Sequence, residues 1–156
     1  MLVVRAFRPA DAESVEFIMA SSTRELRAVY SPKPRAEMAS VDHSSSSTRV
    51  VALDRTDTVV GVAECIARPL ALYVQGVAVA STHRRRGVAG ALLGHLATLA
   101  VDMGLPVVQV ATIKETGNVE VFKRLGFEVI EERISERFLG LHGQHVTEVT
   151  LKRHVA

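Results

Sequence analysis

A chain of 156 residues with 47% hydrophobic and 23% charged positions can build one packed domain, and it is expected to bury ~70% of its unfolded surface. A formal net charge of +2 is too small for the basic face of a general nucleic-acid binder, and Cys65, the sole cysteine, excludes an intrachain disulfide and fits a reducing, cytoplasmic setting. The opening Met1-Leu-Val-Val-Arg5 lacks a signal peptide's apolar run and no segment approaches membrane-spanning length, so no membrane partner is expected.

Aromatic residues make up only 4% of the chain and Trp is absent, so the core must rest on Val, Leu, Ala and Ile. Leu2 to Arg8 reads as an opening strand. Pro9-Ala-Asp11 then starts a helix whose apolar stripe is Val15, Ile18, Met19 and Leu26. The polar stretch from Ser31 to Thr48 holds Pro32, Pro34 and the run Ser44 to Ser47, and reads as a surface loop with room for a short helix over Pro34 to Ala39. Arg49 to Leu53 and Thr58 to Ala67 flank the turn Asp54-Arg-Thr-Asp57, a hairpin signal, and Leu70 to Ala80 is a third strand in succession.

A helix follows from about Arg85 to Met103, with Val88, Leu92, Leu96, Leu99 and Met103 on one side and Gly104 as its stop. Val107 to Ile113 is a nearly continuous apolar run, the pattern of a strand covered on both faces. Asn118 is placed to cap a short helix carrying Val121, Phe122 and Leu125 and ended by Gly126. Glu128 to Ser135 and His145 to Arg153 alternate as strands around a loop near Gly140 to Gln144. The unit from Leu70 to Ile113 should form a right-handed crossover between parallel strands. That puts its connecting turn at the carboxyl end of a strand, where open α/β sheets bind ligands.

The connecting turn carries the most chemistry. Thr82-His-Arg-Arg-Arg-Gly-Val-Ala-Gly90 brings three arginines and two glycines to a helix start. Free N–H groups from Arg85 to Gly90, the helix dipole and the guanidinium groups converge there, an arrangement suited to a phosphate. Arginine has the wrong sign for a helix N-terminus, so an exposed basic start with no ligand would be poorly stabilised. Neither Gly-x-x-x-x-Gly-Lys-Ser/Thr nor Gly-x-Gly-x-x-Gly is present, so the anion is not expected to be a hydrolysed nucleotide or a dinucleotide.

Arg84-Arg-Arg-Gly87-Val-Ala89 fits Gln/Arg-x-x-Gly-x-Gly/Ala. It follows Val79-x-Ser-x-x-Arg84 and precedes Leu92-Leu93, with Asn118-Val-x-x-Phe122-x-x-x-Gly126-Phe127 further on. On these residues and the strand order, the chain resembles the GNAT superfamily of acetyl-CoA-dependent N-acyltransferases over essentially its whole length. The resemblance implies one domain over 1–156. Its fold would be α/β, a mixed and mostly antiparallel central sheet flanked by helices, with a splayed parallel strand pair holding acetyl-CoA.

It further implies that Arg84, Arg85, Arg86, Gly87, Val88, Ala89 and Gly90 cradle the CoA pyrophosphate. The edge Val77, Ala78 and Val79 would pair with the pantetheine amides, and the Val77 N–H would polarise the thioester carbonyl. Asn118 and Phe122 would line the far side of the CoA arm, with a plain helix cap as the other reading of Asn118. Many relatives carry Tyr where Phe122 stands, and its hydroxyl can protonate the leaving thiolate. Phe122 has no such proton, which leaves water, Tyr30 or Tyr73 for that role.

Glu64, within an apolar strand beside the cofactor edge, is the candidate base for the amine acceptor; a pairing with an arginine is its alternative. Cys65 should turn to the opposite face as a small buried hydrophobe. His83 lies nearer the phosphate than the acceptor. His142-x-x-His145 lacks further ligands nearby and reads as solvated, so no metal is expected. The implied activity is acetyl transfer to a small-molecule or peptide amine, and homodimerisation is left open. The rivals are a non-catalytic acyl-CoA-binding or sensing domain of the same fold and a nucleic-acid module built on Arg84 to Arg86.

Overall fold

The computed structural model describes residues 1–34 and 47–155. Among these residues eight strands form one sheet: β1 (Val3–Ala6), β2 (Tyr30–Pro32), β3 (Thr48–Leu53), β4 (Val59–Arg68), β5 (Ala71–Val79), β6 (Val107–Ile113), β7 (Glu128–Gly140) and β8 (His145–His154). Their order across the sheet is β1-β3-β4-β5-β6-β8-β7-β2. Only β5 and β6 run parallel; every other neighbouring pair is antiparallel. The helices are α1 (Ala12–Leu26), α2 (Val88–Asp102) and α3 (Asn118–Arg124). This is the mixed, mostly antiparallel α/β architecture expected from the sequence.

Both faces are covered by apolar stripes. Val15 and Ile18 of α1 pack on Val51, Leu53, Val62 and Ala78. On the other face Val88, Leu92, Leu93, Leu96 and Ala100 of α2 join Val50, Ala63, Cys65, Leu72, Val74 and Val108, with Val119 of α3 at the margin. Of the anticipated α2 stripe, Leu99 is only partly buried and Met103 is exposed; Leu93 and Ala100 take inward places instead. Gly104 (φ 73) stops α2 as expected, with its N–H on the Val101 carbonyl and the Leu105 N–H on the Ala100 carbonyl, a Schellman closure.

Two expectations change. Tyr30 to Pro32 is a strand rather than the start of a loop, and it lies at the sheet edge, the place where a proline can enter a ladder. Strand β7 continues past Ser135 to Gly140, because its register slips between Ile134 and Leu139. There the buried Ser135 hydroxyl accepts the N–H groups of Arg137 (3.2 Å) and Phe138 (3.1 Å), which holds the extra residues in place. Beyond Pro34, the short helix anticipated over Pro34 to Ala39 lies outside the described residues, as do the serines 44–46.

The entry to α1 is fixed by Asp11. Its carboxylate takes a two-point bond from Arg5 (2.8 and 3.0 Å) and accepts the Arg8 N–H at 2.8 Å, at the end of a single 3-10 turn over Pro9–Asp11. The Arg5 hydrogen bonds, helped by the Arg8 N–H and opposed by burial, hold the Asp11 carboxyl below its ordinary range. A carboxylate depressed in the folded state stabilises the fold in full above the unfolded value of ~4, and that contribution is lost as pH falls through the folded value. Asp11→Asn is therefore expected to cost about 1–3 kcal/mol near neutrality. The difference in urea midpoint between wild type and variant should shrink as the pH is taken below 4.

Candidate active site

The parallel pair opens into a fork. Strand β5 pairs with β6 only from Leu72 to Val74, opposite Val108 to Val110, and then departs from it. The cause lies on the other side of β5, where Glu64 faces Gly76 but Cys65 faces Val74, so Gln75 is an extra residue. A bulge of this kind bends its strand and shifts the alternation by one. Leu72 and Val74 face α2 before it, and Val77 and Val79 pack against that same core after it, whereas Ala78 faces α1.

The backbone edge left by β6 is polar and unpaired. The Ala80 N–H donates to the Val60 carbonyl of β4 at 2.8 Å. In an extended strand successive N–H groups alternate sides, so that of Ala78 also points to β4 while those of Val77 and Val79 point into the fork. The Val79 carbonyl likewise receives Arg84 Nη2 at 3.4 Å.

Beyond β5 the chain makes one 3-10 turn over Ser81–His83 and enters the arginine loop. Arg84 is extended, Arg85 is left-handed (φ 61), and so is Gly87 (φ 80), so the helix begins at Val88 and not at Arg85 as anticipated. The first bond leading into α2 runs from the Ala91 N–H to the Gly87 carbonyl at 2.9 Å. The N–H groups of Val88, Ala89 and Gly90 therefore remain outward-directed donors. Residues of alternating hand ahead of a helix form a concave nest of N–H groups suited to an anion. Gly61 lets this end sit close to the sheet: a Cβ there would lie 2.6 Å from Val88 Cγ1.

A cleft of about 940 Å³ occupies the fork. Of the residues singled out in the sequence, Val77, Val79, Arg84, Arg85, Gly87, Val88, Ala89, Gly90, Asn118 and Phe122 line it, and Ala78 and Arg86 do not. The Ala78 side chain belongs to the α1 face. Asn118 does not cap α3: Gly117 (φ 82) occupies the cap position, and the Thr116 hydroxyl accepts the Asn118 N–H at 3.2 Å. The Phe122 ring packs edge-on against Phe127, with centroids 5.6 Å apart. Neither Tyr30 nor Tyr73 is among the lining residues. His83 is, with Nδ1 2.8 Å from the Thr82 hydroxyl and Nε2 3.4 Å from Asp54.

The end of α1 also contributes to the cleft. Ser22, Glu25 and Leu26 line the cleft, and Glu25 forms an ion pair with Arg84 across it. The three-residue spacing of Ser22 and Glu25 marks one helix face, but nothing local says what that face meets.

A smaller recess of about 250 Å³ lies near the α1 end, lined by Met19, Leu26, Glu64, Gly76, Val77 and Ala78 among others. Val77 thus borders both spaces. The Glu64 side chain is 25% exposed, and Arg49, its cross-strand neighbour, donates to Oε2 from Nη2 (2.9 Å) and Nε (3.2 Å). The arginine partner weighed for Glu64 is therefore present, and the carboxylate still borders the recess.

Cys65 lies on the opposite face, fully buried, with its thiol pushed up to about 11 by burial and secondarily by the Glu64 charge. A neutral, enclosed thiol is a poor nucleophile. Ellman's reagent is expected to titrate no thiol in the native protein and one after denaturation in guanidinium. His142 and His145 are exposed at the β7–β8 turn, and among the described residues no three His, Cys, Asp or Glu side chains converge on a common point. No helix among the described residues is long and apolar enough to cross a membrane.

Comparison with known proteins matches this arrangement. The acetyltransferase (GNAT) family model fits residues 15–127, and the chain belongs to that family. A GCN5-related N-acetyltransferase from Kribbella flavida superposes with a TM-score of 0.74 at 24% identity, covering 98% of this chain and 97% of that one. A Bacillus anthracis relative crystallised with acetyl coenzyme A gives 0.73 at 12% identity, over 100% and 99% of the two chains. An aminoglycoside 6′-N-acetyltransferase complexed with coenzyme A gives the same score and identity over 99% and 97%. At these identities the likeness is one of fold. No curated protein sequence matches the chain.

Proposed function

We propose that the span 1–156 is a single acetyltransferase domain. It holds acetyl-CoA in the fork and passes the acetyl group directly to an amine in a ternary complex. The observation that carries this reading is Val77, which borders both the cleft and the recess on the far face of the bulged strand. In it the pyrophosphate sits on the nest from Arg85 to Gly90, and the pantetheine amides run along the unpaired edge at Val77 and Val79. The thioester carbonyl then reaches the Val77 N–H, which stabilises the oxyanion as charge develops.

The amine enters through the recess and loses a proton to Glu64, directly or through water. Its nitrogen forms the new bond to the carbonyl carbon, the tetrahedral adduct collapses, and the carbon–sulfur bond breaks. Phe122 has no proton to give, so the thiolate takes, through water, the proton that the nitrogen of the collapsing adduct releases, an acceptable course for a leaving group whose thiol ordinarily titrates near ~8.5. A single buried thiol is compatible with work in the cytoplasm.

The test is a calorimetric titration with acetyl-CoA, with adenosine 3′,5′-bisphosphate as the control. Micromolar binding of the first and much weaker binding of the second is the expected result. Absence of acetyl-CoA binding would assign the arginine loop to another anion. Acetylation of any amine then eliminates the non-catalytic reading, which Phe122 otherwise favours.

A further inference from the structure

One carboxylate stands in a cleft suited to anions. Among the described residues that line it, Arg84, Arg85 and Arg124 are cationic and Glu25 alone is acidic. Glu25 lies in the last turn of α1, and Arg84 follows the 3-10 turn after β5. Arg84 Nη1 is ion-paired with Glu25 Oε2, and Arg84 Nη2 reaches the Val79 carbonyl at 3.4 Å. A single guanidinium therefore ties the end of α1 to the unpaired edge of β5.

Both contacts compete with the cofactor proposed for this cleft. The Val79 carbonyl belongs to the edge offered to the pantetheine amides, and the guanidinium takes an acceptor that an amide N–H would use. The Glu25 carboxylate in turn occupies a guanidinium N–H that would serve a phosphate oxygen. Neither contact is strong. The Arg84 and Glu25 side chains are 41% and 52% exposed, and ion pairs so open to water are easily exchanged. The Val79 bond lies at the long limit for N–H···O. Nor does α1 depend on the pair for its place, because Val15 and Ile18 seat it on β3 and β4.

We propose that Glu25 gates the cleft: in the free protein it straps Arg84 across the β5 edge, and acetyl-CoA enters by exchanging the Glu25 carboxylate for a phosphate on Arg84. This inference rests on the acetyl-CoA reading of the cleft. The free protein is then a mixture of strapped and open forms, and its apparent affinity is the affinity of the open form reduced by the open fraction. Glu25 acts only through Arg84 and is a positioning residue. Coenzyme A leaves by the reverse exchange, with Glu25 taking Arg84 back from the departing phosphate.

The test is a double-mutant cycle read by acetyl-CoA titration. Glu25→Ala removes the carboxylate, installs the best helix former and keeps the backbone carbonyl that receives the Ala28 N–H at 3.1 Å. It is expected to lower the acetyl-CoA Kd by ~2- to 5-fold, the worth of one exposed ion pair. In an Arg84→Gln background the same substitution should gain less than half as much, because Glu25 then has no guanidinium to release. The Arg84 Nε–H resonance, identified by its loss in Arg84→Gln, gives a second reading that needs no affinity from that variant. It should differ between free wild type and free Glu25→Ala, and coincide once both hold acetyl-CoA. A Kd unchanged or raised in Glu25→Ala overturns the proposal, as does an equal gain in both backgrounds, which would reduce Glu25 to a charge repelling phosphate. Coincident Arg84 resonances in the two free proteins overturn it as well. Acetyl-CoA that binds neither wild type nor Glu25→Ala overturns the reading of the cleft instead.

Discussion

Glu64→Gln is expected to lower kcat by ~10²-fold or more while leaving acetyl-CoA affinity unchanged. Glutamine keeps the shape of the side chain and an oxygen for Arg49, so the β3–β4 register should survive. What it removes is the group that takes the proton from an incoming ammonium. The defect should therefore depend on pH. An amine with an ordinary α-amino value of ~8 is deprotonated by solvent as pH rises through that value, and the variant should recover part of its rate there. A variant with the wild-type rate across the whole range would reduce Glu64 to a partner for Arg49.

The fold and the arginine-glycine wall of the cleft were legible because they are written locally. The stretch from Val77 to Leu93 changes its apolar spacing from strand to helix within a few residues, and the arginines and glycines fall at the change. The wall of the recess is not local. Glu64 and Arg49 lie fifteen positions apart, and only the register of β3 against β4 brings them together. Glu25 meets Arg84 across the molecule. The bulge at Gln75 turns Ala78 away from the cleft, and no residue type marks it in the sequence. A left-handed arginine is equally unmarked. Arg85 reads as part of a helix start, and only the fixed positions of β5 and α2 require the loop to reverse hand there. Likewise the break in alternation after Ile134 reads as a strand end, although the Ser135 hydroxyl carries β7 across it.

Gly87→Val is expected to weaken acetyl-CoA binding by ~30-fold or more while leaving a folded protein. Gly87 sits at φ 80, and nothing lies within 4 Å of the position a Cβ would take. The penalty is therefore conformational rather than steric. A left-handed L-residue costs about 1–2 kcal/mol, and a β-branched one relaxes by rotating its backbone. That rotation turns away the N–H groups on either side, and each bond to a charged oxygen contributes about 1.5–3 kcal/mol, so two lost bonds are ample for the effect. Gly87→Asn separates the two causes, because Asn tolerates the left-handed region yet places a side chain in the cleft. If Asn binds acetyl-CoA nearly as the wild type does while Val does not, the turn's handedness holds the pyrophosphate. If both fail equally, the cofactor needs the open space above Gly87. If both bind normally, the phosphates lie elsewhere and the nest has another occupant.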